Sequence, residues 1–154
     1  MLLAEEFLEK IPDRSINLMD KGFWGADLLL GLAENGAEQH WLTPSRSNLV
    51  AEEVERYNEH DRLLEMRVSA QQARKKNPAL PTHWRVREVS YEHQGKMKTV
   101  LTSLPAETYS TKAVAELYQE RWEIELGFRD LKSSMQRNTV TLRTKTIELV
   151  YQEV

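Results

Sequence analysis

Short apolar stretches separated by polar turns dominate the N-terminal part of the chain. Ile16 and Leu18 alternate with polar or flanking residues, which predicts a short strand that ends at Asp20. The stretch Ala26–Glu34 has the leucine spacing of an amphipathic helix, and His40–Thr43 predicts a second strand. The predicted elements of this part thus follow in the order strand, helix and strand.

The pattern changes after the second predicted strand. Ala51–Arg67 has few apolar residues and is predicted to be a partly helical connection. Trp84–Tyr91 and Met97–Leu104 are rich in valine, threonine and other strand-forming residues, and the turn sequence His93–Gly95 separates them. A long helix, with Ser110 as its N-terminal cap, is predicted to run to Ser134.

One face of this last helix carries a stripe of polar side chains. At about 100° per residue, Tyr118, Arg121, Glu125 and Lys132 fall within about 60° of one another. An apolar band beside the stripe predicts that it borders a buried face; the band consists of Leu117, Ile124, Leu131 and Met135. A carboxylate between two cations is costly to bury for packing alone and suits a metal ligand beside groups that bind a polyanion. The alternative is an ordinary amphipathic helix with an Arg–Glu pair at i,i+4 spacing.

The composition is that of a globular domain. The chain has 154 residues, of which 40% are hydrophobic and 29% are charged. It has no cysteine, which excludes disulfides and zinc–thiolate sites and is compatible with a reducing, cytoplasmic compartment. The four histidines lack ligand spacing. The longest apolar run is far shorter than the roughly 20 residues needed to cross a bilayer, so no membrane partner is expected.

A net charge of −3 conceals a basic segment. Residues 68–98 carry 7 basic and 2 acidic side chains, interleaved with Trp84 and Tyr91. This mixture fits phosphate contact combined with base stacking, for which Trp84 is a candidate. The alternative is a solvated basic loop.

The spacing Tyr-x2-Arg-x3-Glu-x6-Lys, which starts at Tyr118, resembles the signature of the bacterial insertion-sequence transposases of the DDE class, in the family named after insertion sequence number four. Asp20-Lys-Gly-Phe resembles that family's motif around its second catalytic aspartate, although an Asp that opens a turn is common in any fold. The resemblance implies that Asp20 and Glu125 are catalytic ligands of Mg²⁺, with Mn²⁺ as a substitute. It also implies that Tyr118, Arg121 and Lys132 bind DNA.

The resemblance implies an α/β fold, the second half of a ribonuclease H-like catalytic core with an inserted β-rich region. Residues 1–45 would hold the core portion with Asp20, residues 46–104 the insertion, and residues 105–154 the helix with Glu125. Leu2–Glu9 and Ile147–Val154 look like interrupted helices, and Asp13 is too close to Asp20 to serve as the first catalytic aspartate. We therefore expect a fragment truncated at both ends, whose activity alone is uncertain.

Two functions follow from the resemblance. The first is part of a DNA transposase that catalyses metal-dependent strand cleavage and transfer at insertion-sequence ends. The second is a non-catalytic DNA-binding or regulatory remnant of such an enzyme. The implied partners are transposon-end and target DNA, together with a second copy of the chain or a full-length transposase, in the bacterial cytoplasm and at the nucleoid.

Overall fold

The computed structural model describes residues 10–35, 37–68 and 78–137. Its contacts divide the chain into two units, residues 1–118 and residues 119–154. The predictions for Leu2–Glu9, for the basic residues Arg74–Lys76 and for Ile147–Val154 lie outside the described residues. The three-segment division at residues 45 and 104 stays a prediction.

The described strands of the first unit form one mixed sheet. They are β1 (Ile16–Leu18), β2 (His40–Pro44), β3 (Ala51–Asn58), β4 (Asp61–Arg67), β5 (His83–His93) and β6 (Lys96–Thr102). Their order across the sheet is β1-β2-β6-β5-β4-β3. β1 and β2 are parallel, whereas every other neighbouring pair is antiparallel. The predicted insertion thus continues the same sheet as β1 and β2.

A helix packs against each face of this sheet at β2. Successive residues of a strand point to opposite faces, and on β2 both Trp41 and Leu42 are buried. Trp41 packs in a cluster with the leucines of helix α1 (Ala26–Asn35), whereas Leu42 packs with the first turns of helix α2 (Thr111–Arg137). The first unit is therefore a mixed α/β structure, as the sequence predicts.

Helix α2 begins where the sequence predicts. The Ser110 hydroxyl accepts a hydrogen bond from the Ala113 amide at 3.2 Å, as expected of an N-terminal cap. The expected burial of the apolar band is wrong for part of its length, because Ile124 is 56% exposed and Leu131 is 61% exposed. Helical periodicity identifies residues that share a face but does not determine whether another element covers that face. In the described part of the chain, no helix is both long and apolar enough to cross a membrane.

The prediction of a partly helical connection over Ala51–Arg67 is wrong, because β3 and β4 form an antiparallel hairpin there. β3 lies at the edge of the described sheet and is exposed along nearly its whole length. Its polar sequence, which includes Glu52, Glu53 and Glu55, suits water on both faces and lacks the alternation that marks a half-buried strand.

A buried ion pair joins the sheet to the start of α2. Arg87 is 4% exposed, and its guanidinium donates two hydrogen bonds to the carboxylate of Asp61, which is 2% exposed. The same carboxylate accepts from the Thr111 hydroxyl at 2.8 Å, and Arg87 also donates to the Leu104 carbonyl at 3.2 Å. β4, β5 and the first residue of α2 are thus held by one set of hydrogen bonds.

Candidate functional site

Asp20 lies just beyond the carboxyl end of β1, as the sequence predicts. The pairing with β2 continues past the strand, because the Met19 amide donates to the Leu42 carbonyl at 2.8 Å. Asp20 then caps a short 3-10 turn, Lys21–Phe23, and its carboxylate accepts a hydrogen bond from the Lys21 amide. The residue is exposed, so its carboxylate is accessible to a metal ion or another ligand.

Arg46 lies at the same edge of the sheet, a position that the sequence analysis missed. It follows the carboxyl end of β2, which runs parallel to β1. Its guanidinium donates to the Lys21 carbonyl at 3.0 Å and stands over the Trp24 ring, with 5.9 Å between the guanidinium carbon and the ring centroid. The signal that could have found it is positional, because ligand sites of α/β sheets lie beyond the carboxyl ends of parallel strands.

Tyr118, the first residue of the signature stripe, reaches the strand that leads to Asp20. Its side chain is 3% exposed, and its hydroxyl donates to the Met19 carbonyl at 3.4 Å. Leu42 and Val114 belong to the buried cluster around it. The structure therefore brings the start of the signature next to the residue that precedes Asp20.

The other stripe residues belong to the second unit. Arg121 is half-buried and Lys132 is exposed, both on α2. Glu125 lies on the same helix, but its side chain is outside the described residues. The proximity of Glu125 to Asp20 stays a prediction.

The donor chemistry at Asp20 suits a hard cation. Carboxylate oxygen is the ligand type that Mg²⁺ prefers, and Mg²⁺ commonly binds through one or two carboxylates, with waters and substrate phosphates as its other ligands. Among the residues that the structure describes, no group of three or more histidine, aspartate or glutamate side chains could hold a metal ion. Asp20 thus fits as one ligand and requires others.

Trp84 is not available for base stacking. It is 7% exposed and lies in the core between two other indole rings, 6.0 Å from Trp24 and 5.9 Å from Trp41 by their centroids. The valine- and aromatic-rich pattern of β5 indicated a strand correctly. A strand pattern does not reveal which of its two faces the protein covers, and Trp84 points into the covered one.

Comparison with known proteins assigns the chain to a family. The family model described as the transposase DDE domain matches residues 2–148. The chain belongs to the DDE transposase family. This transposase chain is 39% identical over 153 residues to the transposase InsG for insertion sequence element IS4 of Escherichia coli strain K12, a match that covers 99% of the chain.

A second relative matches a shorter part of the transposase chain. The transposase for insertion sequence element IS421 of Escherichia coli is 48% identical over 50 residues, which are 32% of the chain and 13% of that relative. The chain spans 34% of the length of InsG, about a third. No solved structure matches the chain significantly.

Proposed function

We propose that this chain carries part of the catalytic centre of an insertion-sequence transposase. Asp20 and Glu125 are the metal-binding carboxylates, and Arg121 and Lys132 bind the backbone of transposon-end DNA. The chain acts on DNA in the bacterial cytoplasm. It acts together with the first catalytic aspartate of the DDE class, for which Asp13 is unsuitable, and with a second copy of the chain or a full-length transposase. The sheet and its two covering helices are the second half of a ribonuclease H-like core.

The observation that supports this proposal most strongly is the contact between Tyr118 and Met19. The signature spacing links Tyr118 to Glu125 along one helix, and the hydrogen bond at 3.4 Å links Tyr118 to the strand end that carries Asp20. The resemblance also implies that Tyr118 binds DNA, and its hydroxyl donates to the carbonyl of Met19, the residue next to Asp20 in the chain.

The residues present suit in-line phosphoryl transfer. Asp20 and Glu125 would help to hold a divalent ion, which would supply activation of the attacking oxygen and stabilisation of the leaving one. The cations of the stripe neutralise the backbone charge of the DNA and orient it, because guanidinium and ammonium groups form charge-assisted hydrogen bonds with phosphate oxygens.

Metal binding by the intact chain tests the assignment of the ligands. We expect Mn²⁺, titrated by electron paramagnetic resonance, to bind at least about tenfold more weakly to Asp20→Asn and to Glu125→Gln, a loss of about 1.4 kcal/mol for each variant. Asp130→Asn is the matched control, because Asp130 is an exposed carboxylate on α2, the helix that also carries Glu125. Equal affinities in the three variants and the parent would contradict the assignment.

A chimera separates catalysis from DNA binding alone. The chain replaces its matched region in InsG, and cleavage of an IS4 end is measured with Mg²⁺. We expect cleavage that Glu125→Gln abolishes while DNA binding persists. A chimera that binds the DNA without ever cutting it would favour the alternative, a non-catalytic DNA-binding or regulatory remnant.

A further inference from the structure

The carboxyl ends of the two parallel strands form a cationic edge that the signature does not include. Asp20 follows β1, and Arg46 follows β2. Lys21 and Arg46 are both exposed, and within the described ranges neither has a carboxylate within ion-pair distance. Two exposed cations without an ion-pair partner give this edge a positive electrostatic potential. Such a potential favours the binding of an anionic ligand.

Arg46 is also held in a fixed orientation. One guanidinium nitrogen donates to the Lys21 carbonyl, and the Trp24 ring supports the group from one side. The backbone is fixed as well, because the Arg46 carbonyl accepts from the Leu49 amide at 3.2 Å and the Ser45 amide donates to the Thr99 carbonyl at 2.8 Å. An arginine that is oriented in advance loses less side-chain entropy when it binds a phosphate through its remaining N–H donors.

We propose that Arg46, assisted by Lys21, binds a backbone phosphate of the DNA at the edge that carries Asp20. This inference rests on the proposed function, since it takes DNA as the ligand of this edge. Arg46 would position the duplex through a contact that is independent of base sequence, and the Trp24 ring would keep the guanidinium in place.

Salt-dependent binding to a mixed-sequence 20-base-pair duplex in EDTA tests the proposal. We expect Arg46→Ala to bind more weakly and to lower the slope of log K against log salt by about 1, which corresponds to one lost phosphate contact. Lys21→Ala should lower the slope in the same direction. Arg46→Lys should keep most of the slope but bind more weakly, because an ammonium lacks the planar fork of donors.

The matched control is Arg85→Ala. Arg85 is an exposed arginine of the same sheet, next to the buried Trp84 on β5 and therefore on the opposite face, where it pairs with Glu65 at 3.2 Å. Arg85→Ala changes the net charge by the same amount as Arg46→Ala but should leave the slope of log K against log salt unchanged. Thermal unfolding of each variant identifies any loss of folded protein, and Lys21→Ala tests the edge if Arg46→Ala fails to fold.

The outcomes separate this inference from the proposed function. Slopes that are the same for Arg46→Ala, Arg85→Ala and the parent would overturn the inference, as would a chain that does not bind the duplex at low salt. Because EDTA removes divalent ions, the result is independent of metal-dependent cleavage. If the parent chain did not bind Mn²⁺, or if the chimera bound DNA without cutting it, the proposed function would be contradicted and the phosphate contact would still stand.

Discussion

The buried pair of Asp61 and Arg87 offers the sharpest test of how the sheet is stabilised. Both side chains are almost fully buried, at 2% and 4% exposed, and each also bonds a third group, the Thr111 hydroxyl or the Leu104 carbonyl. Removal of one partner leaves an uncompensated charge in a site that excludes water. We therefore expect Asp61→Asn or Arg87→Met to lower the free energy of unfolding by about 3 to 5 kcal/mol.

Replacement of both partners should cost much less than the sum of the single changes. The double variant leaves no lone buried charge, and pairs in direct contact show coupling energies of about 0.5 to 3 kcal/mol. Urea unfolding followed by tryptophan fluorescence measures the four free energies, because Trp41 and Trp84 report on the core.

An exposed pair in the same sheet provides the control. Glu65 and Arg85 lie 3.2 Å apart, but their side chains are 37% and 62% exposed. Glu65→Gln should cost about 0 to 1 kcal/mol, since water screens the pair. The reasoning would be refuted if Asp61→Asn cost no more than Glu65→Gln, or if the double variant lost as much stability as the two single variants together.

Two further predictions concern single contacts. Tyr118→Phe removes the hydrogen bond to the Met19 carbonyl and should lower the free energy of unfolding, measured in urea, by about 1 kcal/mol. Tyr57→Phe, at a 38% exposed residue, is the control and should change this free energy little. Equal losses in the two variants would contradict the role of the hydrogen bond. The hydrogen bond from Arg56 is the main reason that the pKa of Glu53 is below its ordinary value, so the pair stabilises the fold above the unfolded pKa and loses this effect as the pH falls through the folded pKa. Nuclear magnetic resonance titration should show the Glu53 pKa rising in Arg56→Gln, and an unchanged pKa would exclude this cause.

The elements that touch the core could be predicted from the sequence. Ile16 and Leu18 alternate because β1 has a covered face, and the leucines of α1 repeat at helical spacing because one side packs on Trp41. The position of Asp20 at the end of β1 could be predicted for the same reason, because the alternation of apolar and polar residues stops there. Ser110 was recognisable as a cap because its hydroxyl satisfies an amide that the helix leaves unpaired.

Other features carry no local signal. β3 has water on both faces, so its pairing with β4 is not encoded in an apolar period. Asp61 and Arg87 are 26 positions apart, and only the pairing of β4 with β5 brings them together. Arg46 became a candidate once the parallel pairing of β1 and β2 had placed it beside Lys21. These features depend on long-range topology, which a pattern of neighbouring residues does not determine.

The exposed strand β3 gives the sheet an electrical polarity. It carries Glu52 and Glu55 at one end of the strand order, where Glu53 pairs with Arg56 and Arg62, and β1 lies at the other end. Arg46 follows β2, which lies four strand spacings of about 4.8 Å, roughly 19 Å, from β3. This is nearly two screening lengths in 0.1 M salt, so the glutamates of β3 would weaken only slightly the attraction of a phosphate that we propose for Arg46.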